Sequence, residues 1–354
     1  MTKKLKDYDL DRILDSVVLR SVLSILLSLM IASIFILAVG KSPVLALSSL
    51  LKGSMGNLNA IANTLNKSVP LIITGLAAGF AFKSGLLNIG IEGQLHIGAL
   101  FSIVTAFALP ECLNNGIGIL FCIISGMIGG MIWGTIIGVL KVKCNINEVI
   151  IAILLNYIAI GITSYMINYP LQSSADLPET EQVSDGLRFA TLVPRTQLST
   201  SLIMALVLVV IVYIIINKTS LGFKLRAVGD NATAARAGGI NVMFLSVMSM
   251  AISGMIGGLA GTAEALGTYG KLFDGFSGNC GFTGLAVAVL ANNNPFIIIL
   301  TGILFGIMNS GARTMSIRAG LSSDMIVVIQ GLVIFFVATP GIFSFLKKKR
   351  KGNK

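Results

Sequence analysis

Residues 112–140 read CLNNGIGILFCIISGMIGGMIWGTIIGVL, without one Asp, Glu, Lys or Arg. Crossing a bilayer takes about 20 largely apolar residues, so this stretch is long enough to do it. Other runs free of those four residue types occupy 21–40, 68–82, 93–110, 149–175, 196–217, 237–263, 275–312 and 325–346. The run 275–312 is too long for one crossing, and Asn292-Asn293-Asn294-Pro295 divides it. The expected fold is therefore an all-α polytopic membrane protein with about ten transmembrane segments. The second and eighth are short or interrupted.

Composition supports this class. Of 354 residues, 55% are hydrophobic and 12% charged, and mean hydropathy is +0.89. A soluble domain carries about a quarter charged residues, so a soluble fold of this size is excluded. The net charge is +11, and most of the Lys and Arg fall in 1–20, 141–143, 218–236 and 347–354. Lys/Arg excess marks the cytoplasmic side. Ten crossings put both termini there, in a bacterial plasma membrane. The domain layout is then a cytoplasmic segment 1–20, a transmembrane domain 21–346 and a basic tail 347–354. The stretch 171–198, with Asp176, Glu179, Glu181 and Asp185, falls outside, and 219–240 falls inside. The basic tail directly follows a hydrophobic span and has no interleaved aromatics, so it is read as facing anionic lipid and not nucleic acid.

Cys112, Cys122, Cys144 and Cys280 show no metal-ligand spacing and are read as free thiols. One histidine, His96, excludes a multi-histidine metal site. The charged first twenty residues and the long span after them do not read as a cleavable signal.

Glycines recur about one helical turn apart, at Gly126, Gly130, Gly134 and Gly138 and again at Gly254, Gly258 and Gly261. Small residues at that spacing let helix backbones approach closely in a bilayer. Two Gly-rich interruptions, 82–94 and 267–284, each separate a pair of apolar segments in a different half of the chain. Broken helices in corresponding halves suggest a repeat with a pathway between its parts.

The stretch 219–241 reads TSLGFKLRAVGDNATAARAGGIN. Asp230 or Asn231 can cap a helix, Ala232 to Ala237 favour one, and Gly238 or Gly239 can end it. A short helix of about two turns is expected between two spans, suited to docking in a partner's groove or serving only as a basic topological loop.

Residues 222–231 and 234–240 closely resemble the coupling-helix signature of permeases from ATP-binding-cassette (ABC) importers. The matching branch serves ribose and other simple sugars, nucleosides and branched-chain amino acids. Residues 85–94, GLLNIGIEGQ, resemble that branch's third-span signature, and Leu177-Pro178-Glu179-Thr180 resembles the larger permease of nucleoside importers. The resemblance implies a type II importer-like permease fold and no enzyme activity on this chain. It implies partners: ATP-binding subunits carrying ATP and Mg, a second permease subunit in a heterodimer, and an external solute-binding lipoprotein. It assigns ATPase coupling to Gly222, Arg226, Gly229, Asp230, Asn231, Ala234, Ala235 and Gly239. No cofactor is expected here: Gly40-Lys41-Ser42 lacks the earlier glycine of a phosphate-binding loop, since Phe35 stands in its place.

Ionisable and amide side chains in spans are costly and informative. Candidates for the translocation path are Asn88, Glu92, Gln94, His96, Asn156 and Asn309, each of which could equally bond another helix. Glu92, flanked by Gly90 and Gly93, is expected mainly to accept bonds from a broken backbone. Glu148 is expected at the cytoplasmic interface, and Glu264 near the outer end of its span. An ion- or proton-coupled secondary transporter is the alternative, motivated by Glu92 and Glu264. An intramembrane enzyme is disfavoured by the lack of any Ser/His/Asp set, metal cluster or acid pair. The solute is nucleoside, ribose, another sugar or a branched-chain amino acid, in that order.

Overall fold

The structure is a computed structural model, and it describes residues 30–113, 115–174, 177–322, 325, 327–329, 331, 332 and 335. The segment 1–20, the start of the first run, Asp176, most of the last run and the tail 347–354 lie outside the described residues. Among the described residues the secondary structure is helical, with only isolated β-bridges at Gln172–Thr180, Glu179–Phe273 and Thr191–Ser199.

The chain forms two compact units, 57–306 and 1–56 with 307–354. The smaller contains α1 (Met30–Ala38) and α2 (Pro43–Met55), which meet at a bend of 118°. Gly40 makes the corner with φ +73, and Ser42 caps α2 ahead of Pro43. Pro at the first helical position gives up no needed N–H.

The larger unit holds α3 (Leu58–Phe82), α4 (Ile91–Ala108), α5 (Gly116–Cys144), α6 (Glu148–Asn168), α7 (Ser201–Lys218), α8 (Ser220–Asp230), α9 (Ala232–Ala237), α10 (Val242–Thr262) and α11 (Cys280–Leu290). Helix α12 (Pro295–Ala319) begins in this unit and ends in the smaller one. A π-helical turn, Ala263–Tyr269, continues α10.

Among the described residues, seven helices are long and apolar enough to cross a membrane, or eight if α1 and α2 count as one broken span. Of the ten expected segments, the last lies mostly outside the described residues and the eighth, α11, is shorter than a full span; elsewhere the segment boundaries differ from expectation, for physical reasons. The short second run is part of a 25-residue helix, because Lys67 sits inside α3 and does not end it. Lys52 lies within α2 and hides that helix from a charge-free scan. The run 237–263 extends through Glu264 to Tyr269. The divided run behaves as expected: α11 has only 11 residues, and α12 starts at Pro295.

Helix α3 is buried along most of its length. The glycine pattern is used for packing. Helices α5 and α10 run against each other, where a Cβ on Gly130 would lie 2.7 Å from the Gly258 Cα. A Cβ on Gly254 would lie 3.0 Å from the Gly134 Cα. No side chain fits between such backbones.

Gly258→Val should therefore overpack this seam and cost about 1–3 kcal/mol. It is expected to lower the unfolding midpoint in detergent. Gly161→Ala on α6, where a Cβ meets nothing within 4 Å, should leave the midpoint unchanged or raise it. Equal midpoints for the two variants would contradict the packing assignment.

Candidate functional site

The first candidate element is the α8–α9 pair. The Thr219 hydroxyl accepts from the Gly222 N–H at 3.1 Å and starts α8. Helix α8 buries Gly222, Leu225 and Val228 and exposes Phe223. Asn231 breaks the helix with extended backbone and caps α9, its Oδ1 accepting from Thr233 and Ala234 N–H at 3.0 Å each. Gly239 ends α9 with φ +81, a left-handed conformation that suits glycine. The cap is thus Asn231; Asp230 is exposed.

The eight residues of this signature divide by role. Arg226 donates from Nη1 to Asn217 Oδ1 at 3.2 Å, tying α8 to the end of α7. Gly222 and Gly229 allow backbone approach: a Cβ on Gly229 would lie 3.0 Å from the Gly85 N. Ala235 is buried, whereas Ala234 is exposed with Ala232, Thr233, Arg236 and Ala237. Helix α9 thus presents one small-residue face to solvent and uses Ala235 to seat itself.

The second element joins the two helix breaks. The first break covers 83–90, and Glu92 lies in the first turn of α4. The second covers 270–279, where Gly270, Gly275, Gly278 and Asn279 all have positive φ, and ends at α11. Glu92 Oε2 accepts from the Gly281 N–H at 2.7 Å, and its Oε1 accepts from the Ser277 hydroxyl. His96 Nε2 lies 3.6 Å from Glu92 Oε1 and 3.2 Å from Ser277 Oγ, with its ring 4.7 Å from that of Phe276. The expected role of Glu92 is realised on a different backbone: it holds the start of α11, in the other half of the chain. A Cβ on Gly281 would lie 2.6 Å from the Glu92 Cα, so glycine is required for the approach.

The neighbouring amides form a buried network. Asn88 Nδ2 donates to Gln94 Oε1 at 3.0 Å and to Ser253 Oγ at 2.8 Å. Asn88 Oδ1 accepts from the Gly90 N–H at 3.0 Å. Asn156 reaches across from α6, accepting from the Gly93 N–H at 2.8 Å and donating to the Ile89 carbonyl at 3.0 Å. Asn88, Glu92, Gln94, His96 and Asn156 are therefore brought together, each engaged by protein groups. Asn309 is on α12, in the smaller unit.

Glu148 pairs with Lys141 at 2.8 Å. The stretch 171–198 is tied to the second break: the Thr180 N–H donates to the Leu272 carbonyl at 2.8 Å, and Lys271 pairs with Glu179 at 2.6 Å. Among the described residues no His/Cys/Asp/Glu group could hold a metal ion. Sequence reading missed Ser253 and Ser277, since nothing local marks a serine as partner to a side chain far along the chain.

Apolar spans broken by glycine turns, with a short capped helix between two of them, define a multi-pass membrane transport subunit. The chain belongs to the permease family described as "Branched-chain amino acid transport system / permease component", which it matches over residues 60–338. It is 36% identical to "Guanosine ABC transporter permease protein NupP" of Bacillus subtilis, over 93% of this chain and 96% of that protein. It is 32% identical to "Nucleoside ABC transporter permease protein NupB" of Lactococcus lactis, over 95% of each. Identity to "Glucose ABC transporter permease protein TsgB13" of Haloferax volcanii is 29%, over 94% of this chain and 89% of that protein. The same two bacteria each carry a second permease protein of like title, 27% identical to this chain.

Glu92→Ala should leave the Gly281 N–H and the Ser277 hydroxyl buried without their acceptor, at about 1–3 kcal/mol each. The unfolding midpoint in detergent should fall, and transport with it. Glu92→Gln retains an acceptor and should preserve most of both. An unchanged midpoint for Glu92→Ala would remove the proposed support.

Proposed function

We propose that this chain is the membrane-spanning subunit of an ATP-driven nucleoside importer. The observation that carries the reading is α9, a capped six-residue helix with exposed small side chains, seated between two spans. It sits in a family whose most similar relatives named above are permeases for nucleosides and guanosine. Helix α9 faces the cytosol and docks on an ATP-binding subunit, and both termini lie on that side. The stretch 171–198 faces outward, where a solute-binding lipoprotein delivers its load. A second, non-identical permease subunit completes the path, in keeping with the paired permeases of the two bacteria. ATP and Mg belong to the ATP-binding subunits.

The glucose permease relative keeps a sugar as the second reading for the solute. Coupling to an ion gradient draws less support, because Glu92 is occupied by Gly281 and Ser277.

The α9 face supplies the test. Ala234→Trp should abolish solute-stimulated ATP hydrolysis by the assembled transporter while the chain still inserts and assembles. Ala234→Ser should leave hydrolysis close to normal. Full stimulation in the tryptophan variant would place the docking surface elsewhere. Ala235 is a poorer probe, since it is buried and a bulky residue there would unseat the helix.

A further inference from the structure

A second polar cluster lies at the far end of α10 from α9. Lys67 stands 15 residues before the end of α3, roughly 22 Å along the helix at 1.5 Å per residue. Its ammonium donates to the Tyr269 hydroxyl at 3.3 Å and lies 5.6 Å from the centre of that ring. It is within electrostatic reach of Glu264. Glu264 is 2% exposed, sits on the π-helical turn, and among the described residues has neither a hydrogen-bond donor nor an ion pair within 4.0 Å. Asn66, 1% exposed, donates to Thr268 Oγ1 at 3.4 Å and leaves its Oδ1 without a donor. Tyr269 and Phe273 are half-buried, edge to face at 4.9 Å.

A buried carboxylate and a buried amide oxygen without donors are costly, and π turns within α-helices recur at functional positions. The helix-support role that occupies Glu92 is absent here. What the cluster lacks is hydrogen-bond donors, and what it offers besides is one cation and an aromatic pair. A pair of neighbouring hydroxyls on a sugar ring fits. The hydroxyls donate to Glu264 and Asn66 and accept from Lys67, and the flat face of the ring or an attached base lies on Tyr269 and Phe273. We propose that Asn66, Lys67, Glu264 and Tyr269 form a solute-selecting subsite for the vicinal hydroxyls of a sugar ring, on the side of the spans away from the ATP-binding subunits. This rests on the importer reading and specifies which chemistry of the solute is read.

The test uses the complete transporter in liposomes and follows uptake of guanosine and 2′,3′-dideoxyguanosine. Each variant is compared with wild type, so that selectivity of the delivering lipoprotein cancels. Glu264→Leu, which removes both acceptor oxygens at similar size, should lower guanosine uptake tenfold or more and leave dideoxyguanosine uptake within about twofold, each 1.4 kcal/mol corresponding to tenfold. Asn66→Ala should shift the ratio the same way. Equal losses for both solutes, or no loss for either, would overturn the subsite while leaving nucleoside import intact. Wild-type transporter that moves glucose but not guanosine would overturn the nucleoside reading alone. Glucose and 2-deoxyglucose then take the place of the two nucleosides, with the same criterion. Wild type that moves neither class of solute would overturn both.

Discussion

The Glu92 carboxylate accepts the N–H of Gly281, 189 residues further along the chain. The first N–H groups of a helix have no partner within it, and the bilayer core offers no water in their place. An anion at that end also suits the helix dipole. One side chain therefore does for α11 what solvent cannot, and in doing so ties the two Gly-rich breaks together. Ser277 donates to the other carboxylate oxygen and is itself in contact with His96, so the tie is buried and specific.

The tie also bears on how motion at α9 would reach the spans. Helix α8 carries Gly229 against the first break, where a Cβ on Gly85 would lie 3.1 Å from the Gly229 Cα. From there Ser84 meets Ser249, and Asn88 meets Ser253, so the break is bonded to α10. Glu92 carries the connection to α11. Contacts this close leave little slack, because interiors packed backbone to backbone shift as bodies. On the proposed reading, a partner that moved α9 would displace both breaks together.

Much of this was legible in the sequence because the bilayer imposes simple constraints. Charge-free runs located most spans, Gly126 to Gly138 and Gly254 to Gly261 announced close packing, and the pairs Asp230-Asn231 and Gly238-Gly239 delimited α9. Glu92 was read as a support for broken backbone, which is its place here. The failures are equally physical. Treating every lysine as a span boundary cut α3 at Lys67 and hid α2 behind Lys52, although each lies within a helix. Partners distant in sequence left no trace: nothing near Glu92 points to Ser277, and nothing near Asn88 points to Ser253. The π turn around Glu264 has no compositional sign, so its cluster with Asn66 and Lys67 emerged only in three dimensions.

The claim at the centre is that force enters through a small capped rod and leaves as a coordinated shift of two broken helices. Its most direct measurement is solute uptake into sealed liposomes, with this chain alone and then with the second permease, the ATP-binding subunits and the delivering lipoprotein. Uptake should be absent with the chain alone under any ion gradient, and should appear in the full assembly only when ATP is supplied. Gradient-driven uptake by the lone chain would contradict the account.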